Sequence, residues 1–289
     1  MITTTIRLLR VHQWAKNLLL VLPALAGHLP WSPALVLTLL AGFFAFCCVA
    51  SAGYVVNDLI DAPIDREHPE KRHRPIAAGE VPPAAALLVL AGLVSVGVFL
   101  GRPLPREFQL ALLVYLLLST SYSVVLKRWL LLDVITLATL YTLRVIAGAA
   151  LVGVPLSRWF LPFSIFLFFS LALVKRVIAL THPAGAAVPP AGRPYTPGDR
   201  QVLVALGAAA AASSALVYCL YITSPDVAVL YRAPDVLWLG LPLLLYWQAR
   251  VWILAVRGMM SGDPVVFALR DRVSYLVIAV FLATVWLAT

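Results

Sequence analysis

Charge is what this chain has least of. Only 12% of its 289 residues are Asp, Glu, Lys or Arg, and just 13 are acidic, against roughly a quarter charged in an ordinary soluble domain. A soluble globular fold is excluded by that shortage. The 62% hydrophobic content and mean hydropathy of +0.94 place the chain in the polytopic membrane class. Cysteine is scarce as well: Cys47, Cys48 and Cys219 all lie in apolar runs without paired spacing, so neither a disulfide framework nor a thiolate metal site is expected. His12, His28, His68, His73 and His182 show no ligand spacing, which argues against zinc. P-loop, Gly-rich dinucleotide turn and nucleophile elbow are all missing. The net charge of +9 does not signal nucleic acid, because the basic residues cluster at the ends of apolar runs.

What is there is a succession of apolar segments. A helical span needs about 20 apolar residues, and the Pro, Gly and charged punctuation cuts nine candidates, near 15–30, 34–57, 84–100, 108–126, 130–152, 159–180, 201–222, 236–256 and 272–288. The first run has the outline of a signal peptide, with Ala24-Leu25-Ala26 resembling a cleavage site. Basic residues reach too far into it and Pro23 interrupts it, so a retained first helix is expected. With the N-terminus inside, the inside segments collect 17 of the 22 Lys and Arg, and the outside segments four: Arg102, Arg106, Arg158 and Arg232. That asymmetry predicts an all-α, nine-span single membrane domain over 1–289 with its large loops, 58–83, 181–200 and 257–271, on the cytoplasmic face. Five prolines in 181–200 preclude a regular helix there and leave a flap or a plain linker.

The stretch 57–79 concentrates the rare charges. Asp58, Asp61, Asp65, Glu67 and Glu70 lie beside Arg66, Lys71, Arg72 and Arg74. Asp58, Asp61 and Asp65 stand at i, i+3 and i+7, one face of a helix if the second span continues through them. Like charges so placed cost a few tenths of a kcal/mol per pair, a sign that a divalent cation such as Mg2+ would reverse. The trailing cations suit a ligand more negative than the metal neutralises, as a diphosphate is. The plain alternatives are a solvated helix end and a positive-inside anchor.

Other polar groups are candidates with ordinary counterparts. Gln13, Lys16 and Asn17 share a helix face at i, i+3 and i+4, or anchor the interface together with Trp14. Arg144 lies deep in an apolar run, where an ionisable side chain costs at least about 2.5 kcal/mol. It faces a partner such as Asp133 or lines a cavity for an anion. Lys127-Arg128 and Lys175-Arg176 are snorkelling anchors if taken singly, and Arg270-Asp271-Arg272 closes the last inside loop as a charged triplet.

Nine spans with Asn57, Asp58, Asp61 and Asp65 as an Asn-Asp-x-x-Asp-x-x-x-Asp motif after the second resemble the UbiA superfamily of intramembrane prenyltransferases. The likeness is closer to its decaprenyl-phosphate 5-phosphoribosyltransferase branch, through Arg10 to Asn17, Asp65 to Gly79, Tyr141 to Gly148, Lys175-Arg176 and Ala268 to Arg272. The resemblance implies a UbiA-type bundle with a cytoplasm-facing cavity in a bacterial cytoplasmic membrane. It also implies Mg2+-dependent transfer of a 5-phosphoribosyl group from phosphoribosyl diphosphate to a polyprenyl phosphate, and it leaves a homo-oligomer open. Carried over residue by residue, Asp58, Asp61 and Lys16 are catalytic, and Asn57, Asp58, Asp61 and Asp65 hold the metal. Gln13, Asn17, Asn57, Lys71, Arg72, Arg74, Tyr141, Arg144, Lys175, Arg176 and Arg270 bind substrate.

Two departures qualify the likeness. Aromatic prenyltransferases of the superfamily carry a second Asp-rich motif after the sixth span, and residues 172–198 contain no carboxylate. The phosphoribosyl branch commonly has Lys-Arg-x-x-Glu there, where this chain has Lys175-Arg176-Val177-Ile178-Ala179. The first absence favours the phosphoribosyl reading, and the second weakens any role carried over for that Glu and leaves a different sugar donor or acceptor open. Prenyl transfer to an aromatic acceptor is the runner-up. A transporter or lipid-binding protein with a Mg2+-dependent gate is more remote, since only Arg144 lies near a span centre.

Overall fold

The computed structural model describes residues 2–69, 71–181, 194–260 and 262–289. Glu70 and the stretch 182–193, with His182, Arg193 and most of the expected flap or linker, lie outside the described residues. Every regular element among the described residues is a helix, and none is a strand. The chain divides into two compact units, one of residues 1–136 and 143–156, the other of 137–142 and 157–289.

The first unit runs α1 (Ile2–Leu9), a 3₁₀ helix (Val11–Val21), α2 (Leu22–Ala26), α3 (Pro33–Glu67), α4 (Pro83–Gly101), α5 (Arg106–Val124) and all but 137–142 of α6 (Leu132–Val152). Ser32 starts α3, its hydroxyl accepting from the Leu35 N–H at 3.2 Å, and Pro33 occupies a first position where its missing N–H costs nothing. The helix then continues through Pro63 for 35 residues. Its C-terminal end buries Val55, Asp58, Ala62 and Asp65 on one stripe, with Val55 and Ala62 packed among Leu8, Ile76 and Ala86. Gly148 of α6 lets that helix lie directly on the 3₁₀ segment: a Cβ there would stand 2.2 Å from the Leu20 carbonyl oxygen.

The second unit contains α7 (Phe160–Thr181), α8 (Arg200–Ile222), α9 (Pro225–Leu230), a 3₁₀ turn (Pro234–Leu239), α10 (Gly240–Val256), α11 (Pro264–Ala268) and α12 (Arg272–Ala288). Small residues and buried polar pairs knit it. Ser170 donates to the Gly207 carbonyl at 2.9 Å and accepts from Trp252 Nε1 at 2.9 Å, and Gln248 Nε2 donates to Ser214 at 2.7 Å. Internal pairing of this kind is what an apolar solvent demands of polar side chains. A core of Tyr218, Ile222, Val227, Tyr231 and Leu237 closes one end.

Among the described residues seven helices are long and apolar enough to cross a membrane, α3 to α8 and the 3₁₀ turn continued by α10. Their outward side chains fit that setting, with Leu88 at 76% and Phe99 at 75% exposure. The expected first span, 15–30, is instead a 3₁₀ helix, Val11–Val21, followed by the five-residue α2, Leu22–Ala26. The expected ninth, 272–288, is a helix of 17 residues, at the lower end of what spans a bilayer.

Candidate functional site

The acidic end of α3 is charge-balanced by cations from three other segments. Arg10 donates to Asp58 Oδ1, and Arg74 donates to the same oxygen at 3.1 Å and to Asp65 Oδ2 at 2.6 Å. Lys127 donates to Asp61 Oδ1 at 2.5 Å and to Asn57 Oδ1 at 3.3 Å, while Asn57 Nδ2 donates to Asp61 Oδ2 at 3.0 Å. Asp58, Asp65 and Lys127 are buried. Three carboxylates thus meet three cations, so the mutual repulsion foreseen along α3 is cancelled within the protein.

The backbone is shaped to bring Arg10 there. Arg10 adopts left-handed φ 50°, ψ 48° between α1 and the 3₁₀ helix, which costs a non-glycine residue roughly 1–2 kcal/mol. Its bond to Asp58 and its stacking 5.1 Å over Tyr54 offset that cost. Farther out, Arg7 ties α1 to the loop after α3 through the His73 carbonyl at 2.5 Å and Glu80 at 2.9 Å. The Arg7 bond holds the Glu80 carboxyl below the usual carboxylate range.

Several candidates sit differently from expectation. Gln13, Lys16 and Asn17 do not share one face, because a 3₁₀ helix has three residues per turn. Gln13 and Lys16 eclipse while Asn17 turns away to accept from Arg144 Nε at 2.9 Å and donate to Cys47 at 3.2 Å. Arg144 also donates to the Tyr115 hydroxyl at 2.6 Å and lies over the Tyr115 and Phe46 rings. The suggested partner Asp133 stands eleven residues earlier on the same helix, about 16 Å along its axis, too far for contact. Lys71 and Arg72 form a short 3₁₀ turn with His73. Arg74, expected as a phosphate clamp, is engaged by two carboxylates.

The second unit holds its own polar cluster. Asp263 accepts from the Tyr141 hydroxyl through Oδ1 at 3.1 Å and Oδ2 at 3.2 Å, and from Lys175 Nζ through Oδ2 at 3.1 Å. It also caps α11, accepting from the Val265 N–H at 3.1 Å. Tyr141 stacks on Phe168 at 5.0 Å, and Arg176 is buried. Arg270 is exposed, whereas its neighbour Asp271 is a helix cap: it accepts from the Ser274 N–H at 2.8 Å and pairs with Arg250 at 2.6 and 3.0 Å. Those bonds, that of Arg250 first, hold its carboxyl below the usual range.

Arg10, Lys127 and Asp263 were not singled out as site residues by sequence. Arg10 entered only within the Arg10 to Asn17 stretch, Lys127 as a snorkelling anchor, and Asp263 was given no role. The available signal was rarity: each is one of the few charges between apolar segments.

Among the described residues no three His, Cys, Asp or Glu side chains converge on a point as a metal cage would. Mg2+ does not require one, since it is commonly held by one or two carboxylates together with substrate phosphates and waters. Asp58, Asp61, Asp65 and the Asn57 amide oxygen are hard oxygen donors on adjoining turns of one helix, and that donor set fits Mg2+.

Known proteins converge on one assignment. The decaprenyl-phosphate phosphoribosyltransferase of Mycobacterium tuberculosis is 33% identical over 301 residues, covering 100% of this chain and 93% of that protein. The uncharacterised protein y4nM of Sinorhizobium fredii is 37% identical over 271 residues, covering 93% of this chain. The chain spans about half of y4nM, 52% of its length. A UbiA homologue from Archaeoglobus fulgidus, solved with GPP and Mg2+, has the same fold with a TM-score of 0.74 at 20% identity, covering 97% of this chain and 99% of that one. The profile of the UbiA prenyltransferase family matches residues 17–265, and the chain belongs to that family.

Proposed function

We propose that this membrane transferase moves a 5-phosphoribosyl group from phosphoribosyl diphosphate to a polyprenyl phosphate. The observation that carries the reading is the set of three carboxylates matched by Arg10, Arg74 and Lys127 at the end of α3. A site already neutral in itself accepts a metal ion and a highly charged anion together, because carboxylates and cations can exchange each other for those two ligands. Likeness to the mycobacterial phosphoribosyltransferase supports the donor and acceptor classes.

Asn57, Asp58, Asp61 and Asp65 would hold Mg2+, which when bound neutralises charge on the departing diphosphate. Arg10, Arg74 and Lys127, exchanged from their carboxylates, then donate to phosphate oxygens as the bond from ribose C1 to the diphosphate oxygen breaks. Lys16, buried on the 3₁₀ helix, adds a further positive charge. The polyprenyl phosphate attacks C1 through an oxygen that is already anionic near neutral pH, so no general base is required. Lys71 and Arg72 serve anion capture at the exposed edge. Arg144, bonded to Asn17 and Tyr115, is read as a substrate-binding cation of the first unit, and Lys175, Arg176 and Arg270 as phosphate-binding cations of the second.

The reading places the protein in the cytoplasmic membrane with nine crossings, the N-terminus and the acidic end of α3 inside. Length supports the first crossing: eleven 3₁₀ residues at about 2.0 Å and five α residues at about 1.5 Å cover roughly 30 Å, one hydrocarbon thickness.

The test is conversion of labelled phosphoribosyl diphosphate to an organic-extractable product by purified protein supplied with decaprenyl phosphate and Mg2+. Product that disappears in Asp61→Asn supports the reading. Absence of product, alongside transfer from a prenyl diphosphate to an aromatic acceptor, overturns it.

A further inference from the structure

Ser51 lies within α3 but sends its proton out of that helix. A helical serine ordinarily returns its hydroxyl to a carbonyl three or four residues back, as Ser119 does to Leu116 at 3.1 Å and Ser123 to Ser119 at 2.9 Å on α5. Ser51, fully buried, instead donates to the Leu9 carbonyl at 2.9 Å and accepts from Trp14 Nε1 at 3.0 Å. Leu9 ends α1, and the last carbonyls of a helix must find partners outside it. One hydroxyl therefore ties down both sides of Arg10, the left-handed residue between Leu9 and Trp14. Ser51, Tyr54 and Asp58 stand at i, i+3 and i+7 and share a face of α3. That face holds the segment three times: the Leu9 backbone at Ser51, the Arg10 guanidinium 5.1 Å over Tyr54, and its N–H at Asp58 Oδ1. Seven residues of α-helix are about 10 Å long, so an arginine fixed by its backbone near Ser51 lies along α3 to reach Asp58.

We propose that Ser51 is a positioning residue for phosphate binding: by pinning Leu9 and Trp14 it fixes the left-handed turn that presents the Arg10 guanidinium at the acidic end of α3. Without that hydroxyl the Leu9 carbonyl and the Trp14 N–H lose this partner, and the cost of ordering the turn falls on anion binding. The proposal deepens the phosphoribosyl reading and rests on it for what the phosphate is attached to.

The experiment uses the full chain in detergent with Ser51→Ala, Ser51→Thr, Trp14→Phe, Arg10→Met and the double variants Ser51→Ala/Arg10→Met and Trp14→Phe/Arg10→Met. Two readouts are taken: calorimetric binding of inorganic pyrophosphate with Mg2+, and transfer with phosphoribosyl diphosphate or, separately, a prenyl diphosphate. Ser51→Ala is expected to weaken pyrophosphate binding and kcat/KM by about 10-fold, the scale of losing one or two neutral hydrogen bonds. Trp14→Phe, which keeps the bond to Leu9, should cost about 3-fold, and Ser51→Thr, which keeps the hydroxyl, should recover most of the loss. In the Arg10→Met background Ser51→Ala should change binding by less than about twofold, because the group it places is gone. If Ser51→Ala does not fold, Trp14→Phe carries the same comparison. A merely structural serine weakens both backgrounds alike, so full additivity with Arg10→Met overturns the inference. Binding by folded Ser51→Ala within about twofold of wild type overturns it too, as does wild-type protein that binds no pyrophosphate. So does a loss that merely follows a fall in Tm and is not recovered by Ser51→Thr. Wild-type turnover with the prenyl donor alone overturns the phosphoribosyl reading instead, and the pyrophosphate arm still decides the role of Ser51.

Discussion

At the end of α3, three carboxylates face three cations, whereas in the second unit Asp263 alone receives Lys175 and Tyr141. The acids of the first cluster are bound mainly by long, flexible side chains. Asp263 is bound partly by backbone, through the Val265 N–H. Flexible partners can be traded for a metal and a phosphate without unfolding anything, but a helix cap cannot be traded without loosening the helix it starts. Number of charges is thus the lesser difference. The greater one is in what holds the acids, side chains alone in the first cluster and backbone as well in the second.

The largest expected effect tests that contrast directly. Asp61→Asn should lower transfer by about 100-fold or more, the scale of losing one preorganised electrostatic group, and should exceed the effect of Asp263→Asn. Steady-state kinetics on both variants decides it, and the reverse order breaks the comparison. Next comes Lys127→Met, expected to lower kcat/KM by about 10-fold to 100-fold. The change also leaves Asp61, at 21% side-chain exposure, able to recover some hydration.

A smaller pair of effects concerns packing. Gly148→Ala would drive a methyl into the Leu20 backbone, whereas Gly207→Ala would meet the Trp252 ring, a side chain 2.0 Å from the added carbon. Overpacking costs about 1–3 kcal/mol, and the backbone clash should give the larger fall in Tm because a ring has more freedom to shift. Thermal unfolding in detergent measures both. Smallest is the pH effect at Asp271, whose carboxyl is held below its ordinary value near 4. A depressed carboxyl stabilises above the unfolded value and loses that contribution as pH falls through the folded one. The Tm difference between wild type and Asp271→Asn should therefore be present at pH 6 and shrink below about pH 4.

Much of this was legible in residue order. The apolar segments near 84–100, 130–152 and 201–222 became α4, α6 and α8 because composition alone selects a helix in lipid. Asp58, Asp61 and Asp65 were found by spacing, and α3 does continue through them. Illegible were the long-range partners. Lys127 is 66 residues from Asp61 and Asp263 is 88 from Lys175, separations over which no local periodicity operates. The winding of Val11–Val21 was also hidden, since an apolar run with basic punctuation suits a 3₁₀ helix as well as an α-helix. That error carried the false expectation that Gln13, Lys16 and Asn17 share a face.

That tight winding turns the N-terminal segment into a ruler. Eleven residues as 3₁₀ helix reach about 22 Å, and the same residues as α-helix would reach about 16 Å. Near its far end the segment is seated backbone-on-helix at Leu20 and Gly148, and at its near end Arg10 grips Asp58. The distance between the seat and the grip is thus coupled to the number of residues per turn. Rewinding into α-helix would shorten it by about 6 Å and draw Arg10 away from Asp58, so the pitch of one short helix and the occupancy of an ion pair become a single variable.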